Sequence, residues 1–221
     1  MFVLIQILRC GSGRQQEALR RLQWIHGLMA ERDDSGGCIV ARHLGNPIDL
    51  FIMRFWQTKD AMLRRTNAYY QDRWPLFPPN EPEGIYQTQD IAHHFEEVLR
   101  TDGAAEGSFI VRTTSMVADD KWGEFLELRR AEDAVMQRSG GLVSSATYRS
   151  IENAAAALTV LRFKDRSAFE HLSVDSEKVA LEISLSEVTS PLECPDLNVF
   201  HTECFEVIDE YAAPAALRIT P

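Results

Sequence analysis

Apolar positions along the chain follow two rhythms, a continuous or alternating one and one with a step of three or four, and the rhythms come in a fixed order. Phe2–Leu8 is an apolar run of strand length. Leu19, Leu22, His26 and Met29 then form one stripe of a helix, with Ser12 and Gln15 spaced as a capping box at its start. The stripe ends near Asp33, Gly36 and Gly37 mark a turn, and Cys38–His43 reads as a second strand. After the turn at Gly45, Asn46 and Pro47, Leu50–Trp56 predicts a strand that is apolar on both faces. Leu50, Ile52 and Trp56 share one parity, and Phe51, Met53 and Phe55 the other. Thr58 or Asp60 opens a second helix that runs to Tyr70, a proline-rich loop spans Pro75–Pro82, and Ile85–Phe95 is a last strand.

The order then starts again. Phe109–Met116 is a strand, and Asp119 and Asp120 precede a helix with Phe125, Leu128 and Val135 on its stripe. Gly140 and Gly141 turn into Leu142–Tyr148, and Leu158–Phe163 is the third strand. Ser167 and Glu170 are spaced as a second capping box on a helix carrying His171; a loop with Pro191 and Pro195 leads to the last strand, Val199–Ile208. By sequence alone, Gly36-Gly37 matches Gly140-Gly141, Arg54-Phe55 matches Arg162-Phe163, and Phe95-Glu96 matches Phe205-Glu206. The expected organisation is a first unit over 1–100, a polar small-residue linker over 101–108, a second unit over 109–211 and a tail over 212–221. Each unit has the β-α-β-β-α-β order of an α+β ferredoxin-like fold. Packing the two sheets together would bury both faces of Leu50–Trp56, so an intramolecular pseudo-dimeric α/β barrel is expected.

Composition narrows the function classes. The chain has 221 residues, with 23 Lys+Arg against 33 Asp+Glu. This acidic balance argues against nucleic acid and against an anionic membrane surface as partners. No apolar run reaches the ~18 residues of a membrane-spanning helix, and the N-terminal run lacks a signal peptide's charged start and cleavage site. Cys10, Cys38, Cys194 and Cys204 are scattered, as free thiols of a cytoplasmic protein would be. His201 and Cys204 lie three apart on a strand and face opposite ways, so no metal site is expected there.

The segments Arg54–Met62 and Leu161–His171, each a strand end, short turn and helix start, resemble the antibiotic biosynthesis monooxygenase (ABM) family of the dimeric α/β-barrel superfamily. The resemblance covers nearly the whole chain, taken twice. It implies a cofactor-independent monooxygenase acting with O2 on an electron-rich aromatic, a quinol or polyketide phenol. Isomerases or cyclases, haem-binding or haem-degrading proteins and non-catalytic binding barrels on the same fold are the alternatives. The Asn usual on the first strand of the haem-degrading relatives is absent, with Gln6 near its place.

The pocket is expected between the helices and the sheet of unit 1, which holds Trp24, Trp56, Trp74, His26, His43, His93 and His94. His26, on the apolar stripe, is either a core histidine or a general base; His94 is the second candidate base. Asn67 and Tyr70 are candidate donors to a developing oxyanion. Arg54, mid-strand among apolar residues, either pairs structurally or binds a substrate anion, with Trp74, Trp24 and His93 lining the site. Arg162 is expected to repeat Arg54 in unit 2. No cofactor or metal is expected, the partners are a small aromatic and O2, and a homodimer of the tandem chain is compatible with this reading.

Overall fold

A computed structural model describes residues 1–30, 35–64, 86–89, 93–102, 107–190 and 202–212. The chain divides into two compact units, Met1–Phe95 with Ile208–Pro221, and Glu96–Val207.

In unit 1, β1 (Phe2–Cys10) leads to α1 (Gln15–Ala30), then to β2 (Ser35–His43) and β3 (Asp49–Trp56). Residues 59–64 begin α2, whose N-cap is Thr58, its Oγ1 accepting from Ala61 N at 3.2 Å. β4 (Tyr86–Gln89) pairs with β1, and β5 starts at His93. The pairings are antiparallel, in the order β2-β3-β1. Ala18 and Leu22 of α1 pack on Leu8, Cys10, Cys38, Val40, Leu50 and Ile52, with Ile208 of the last strand at the margin. Removing one such side chain from water, Leu22 for example, stabilises the fold by about 1.5–3 kcal/mol.

In unit 2, β5 runs on to Asp102, two residues into the stretch whose composition reads as a linker. β6 (Phe109–Val117), a 3₁₀ turn (Asp119–Lys121), α3 (Trp122–Arg138), β7 (Leu142–Ser150) and β8 (Ala156–Phe163) follow. α4 (Arg166–Leu172), α5 (Ser176–Val188), β9 (Thr189–Ser190) and β10 (Glu203–Ala212) complete the chain. The order is β7-β8-β6, with β9 and the start of β10 on the free edge of β6. Both units are thus mixed α/β with an antiparallel sheet. Among the described residues no helix is long and apolar enough to cross a membrane.

Local physics corrects the capping box expected at Ser167 and Glu170 and the reading of Asp119-Asp120 as the cap of α3. No Asp side chain caps α3, because Asp119 and Asp120 lie inside the 3₁₀ turn. α4 is capped not by Ser167 with Glu170 but by Asp165, whose Oδ1 accepts from Ala168 N at 2.9 Å. Gly140 ends α3 at φ +74°, where a side chain would be strained.

The two units use equivalent parts 107 residues apart: helix starts Gln15 and Trp122, caps Thr58 and Asp165, strand starts Phe2 and Phe109. Turn bonds recur at the same spacing, Asp49 N to Asn46 O at 2.9 Å and Ala156 N to Asn153 O at 2.8 Å. At that spacing Gly36-Gly37 corresponds to Val143-Ser144, not to Gly140-Gly141. Both pairs lie at a bulge, between Ser35 and Gly37 in one unit and Leu142 and Ser144 in the other.

Unit 2 also buries an ionic cluster. Arg129 donates to Glu132 and, at 3.2 Å, to Asp133; Thr101 Oγ1 donates to the second Asp133 oxygen at 2.9 Å; Lys178 of α5 pairs with Glu182. Burial pushes the Glu132 carboxyl up, and Arg129 and Lys178 pull it back. Removing the central cation strands two buried carboxylates. Arg129→Met is expected to lose about 3–5 kcal/mol of unfolding free energy in a urea titration. The Arg129→Met/Glu132→Leu/Asp133→Leu variant should recover most of it; equal losses in both would mean that the ion pairs themselves, and not the stranding of two carboxylates, carry the stability.

Candidate functional site

The candidate site is the layer between α1 and the sheet in unit 1. Arg54 on β3 lies opposite Leu4 of β1 and Cys38 of β2. Leu50, Ile52, Cys38 and Val40 all pack toward α1, so the two-residue period of a strand turns Arg54 and Trp56 to that face as well. His26 follows Leu22 by one helical turn on α1 and descends into the same layer. Arg54 is only 8% exposed, His26 4% and Trp56 1%. Gln6, on the same face of β1, is buried too.

Neither Nε of Arg54 nor the indole Nε1 of Trp56 has a hydrogen-bond partner among the described residues. No carboxylate among the described residues forms an ion pair with Arg54. Asp209, at the end of β10 that belongs to unit 1, accepts from Gln23 Nε2 at 3.1 Å. Burial, and then the Arg54 charge, push the His26 pKa down to about 3, with Asp209 opposing. Burial pushes the Cys38 thiol up to about 12 against the pull of Arg54. At neutral pH the imidazole and the thiol of the layer are therefore uncharged.

Sequence-expected residues divide into three groups. His26 and Arg54 come together. Trp24 is half-buried but two residues from His26 on α1, a spacing that puts it on another side of the helix. His93 and His94 are half-buried neighbours on β5, aimed at opposite faces. Asn67, Tyr70 and Trp74 lie outside the described residues, as does His201. Among the described residues no group of three or more His, Cys, Asp or Glu could hold a metal ion. Trp56, Cys38, Gln6 and Asp209 join the site without having been singled out for it. Parity with Arg54 could have found Trp56; nothing local marks Asp209, which reaches the layer from 155 residues further along than Arg54.

Arg162 is not the counterpart of Arg54. Phe2 pairs with Trp56, and Phe109 with Phe163, so Trp56 corresponds to Phe163, Arg54 to Leu161, and Arg162 to Phe55. A slip of one residue reverses the face. Leu161 and Phe163 pack on α3 and α4 with Met136 and Leu172, whereas Arg162 turns the other way and donates from Nε to Gly107 O at 2.8 Å. Gly107 permits that approach, since a Cβ there would sit 2.5 Å from Phe163 O. His26 corresponds to Asp133 and Leu22 to Arg129. Arg129 of unit 2 thus comes from a helix and meets two carboxylates, while Arg54 of unit 1 comes from the sheet and meets none among the described residues.

No protein-family model matches the chain, and no curated protein matches it. Solved structures do. It is similar to an anthrone oxidase-like protein, with a TM-score of 0.70 and 11% identity over 100% of this chain and 96% of that one. A Fusobacterium nucleatum protein named provisionally as a monooxygenase gives 0.69 and 10% over 96% and 94%. A ferredoxin-fold protein related to antibiotic biosynthesis monooxygenases, from Listeria monocytogenes, gives 0.53 and 10% over 94% and 95%. At such identities the likeness is one of fold: this chain has the ferredoxin-like α/β fold of monooxygenase-like proteins.

Proposed function

We propose that the chain is a cofactor-independent oxygenase of the ABM kind, a tandem repeat whose units close into a pseudo-dimeric barrel and whose unit 1 binds an electron-rich aromatic. Burial of both faces of β3 supports the barrel, Phe51 and Met53 being as deeply buried as Leu50 and Ile52. The likeness to an anthrone oxidase-like protein supports the reaction class. The observation that carries the reading is the buried guanidinium of Arg54, unmatched by a carboxylate among the described residues, next to His26.

Arg54 stabilises the oxyanion of the bound ring, and His26 takes the proton. Resting His26 is a weak base because burial and Arg54 hold it uncharged. An anion forming against Arg54 cancels part of that field, so the imidazole becomes more basic as the proton arrives. The substrate anion gives one electron to O2, the radical and superoxide combine into a C–O bond, and the peroxide, reprotonated, loses water to leave a carbonyl. One oxygen atom enters the product and the other leaves as water. Asn67 and Tyr70 are assigned as further donors to the oxyanion, His94 as the second candidate base, and Trp74, Trp24 and His93 as wall residues.

Oxygen uptake with a panel of quinols and anthrones is expected, giving a product heavier by one oxygen and lighter by two hydrogens. Arg54→Met should lower kcat/KM by about 10²-fold. Uptake on no substrate, or uptake untouched by Arg54→Met and His26→Ala, would rule the reading out.

His26 also predicts a pH signature. Its folded pKa of about 3 lies below the 6.5 of a free imidazole, so the unfolded chain binds the extra proton. Its contribution to stability is complete above pH 6.5 and is lost as pH falls toward 3, by at most about 1.4 kcal/mol per unit. Urea unfolding between pH 4 and 7 should show a shallower pH dependence in His26→Gln; parallel curves would mean His26 takes up its proton over the same range in the folded and unfolded chains.

A further inference from the structure

We propose that the ligand of the unit 1 layer bears a full negative charge before it binds, as an aromatic carboxylate does. The inference rests on reading the Arg54 layer as the ligand site. Arg54 is more than nine-tenths buried, and its Nε has no hydrogen-bond partner among the described residues. A lone charge held away from water is costly unless something of opposite sign meets it. Unit 2 meets that demand from within, with Glu132 and Asp133 around Arg129. In unit 1 the place of Asp133 is taken by His26, which burial and Arg54 keep uncharged.

The donor inventory points the same way. Trp56 Nε1 is a second buried donor without a partner among the described residues, on the same face of β3 and two residues on, about 7 Å along the strand. The two corresponding side chains of unit 2, Leu161 and Phe163, offer no polar atom. Unit 1 therefore presents a guanidinium and an indole N–H to one side. A carboxylate, which when ionised only accepts hydrogen bonds, answers both. A ring that carries such a carboxylate beside its reacting hydroxyl meets the guanidinium before any proton moves.

Calorimetric titration of the full chain under argon with 2-naphthoate, 2-naphthamide and 2-naphthol, flat rings that differ in charge, tests this directly. Naphthoate should bind about tenfold or more tighter than either neutral ring. The ratio should hold from pH 5.5 to 8, where naphthoate stays ionised. Arg54→Met should erase the preference and leave naphthamide binding in place; Trp56→Phe should reduce it several-fold. Thermal unfolding supplies a readout independent of any ligand. If no acid neutralises Arg54, Arg54→Met melts at or above the wild-type temperature. A markedly lower melting temperature, equal binding of the neutral rings, or binding of none of the three overturns the proposal. Because no turnover is involved, absent oxygen uptake leaves it standing. Oxygen uptake with neutral rings and no charge preference removes it alone.

Discussion

A buried charge that no carboxylate among the described residues meets governs how unit 1 is put together. Arg54 lies on a strand whose neighbours on both faces are apolar, so no rotation about the strand axis would bring its guanidinium to water. The charge sets the state of what surrounds it: it contributes to holding His26 uncharged and pulls on the Cys38 thiol. It also makes the layer between α1 and the sheet a place where negative charge is stabilised rather than excluded, the condition oxyanion chemistry needs.

Unit 2 has the same scaffold and the opposite solution. Its elements, caps and turn bonds stand 107 residues from those of unit 1, yet its helix–sheet layer neutralises itself through Arg129, Glu132 and Asp133. Apolar Leu161 and Phe163 stand where unit 1 has Arg54 and Trp56. One unit therefore leaves a buried guanidinium unmatched among the described residues, and the other matches its own. The division follows from which parity carries the polar residues, a property far finer than the fold. Both units draw on the far ends of shared strands as well: Val98 of β5 packs in unit 2 and Ile208 of β10 in unit 1.

Much of this was legible in the sequence because it depends on local periodicity. The stripe of Leu19, Leu22 and His26 placed α1 and turned His26 inward; the double apolar parity of Leu50–Trp56 marked β3 as buried on both faces. Capping was less legible. Ser, Thr and Asp crowd the helix starts, and only backbone geometry selects Asp165 over Ser167 or makes a 3₁₀ turn of Asp119 and Asp120. The match of Arg54 with Arg162 failed for a related reason. Two similar dipeptides can be aligned with a slip of one residue at no cost in sequence similarity, whereas in a sheet that slip exchanges the faces.

What the sequence by itself determined is the succession of strands and helices, repeated once, and the apolar character of each buried face, because period and composition are carried residue by residue. What only the tertiary structure decided is which groups meet. Arg54 lies beside His26 and Cys38 because strand pairing puts β2 next to β3 and α1 above them, and Asp209 arrives on a strand from the far end of the chain. Whether a buried charge is neutralised depends on such distant neighbours, and no local window of sequence contains them.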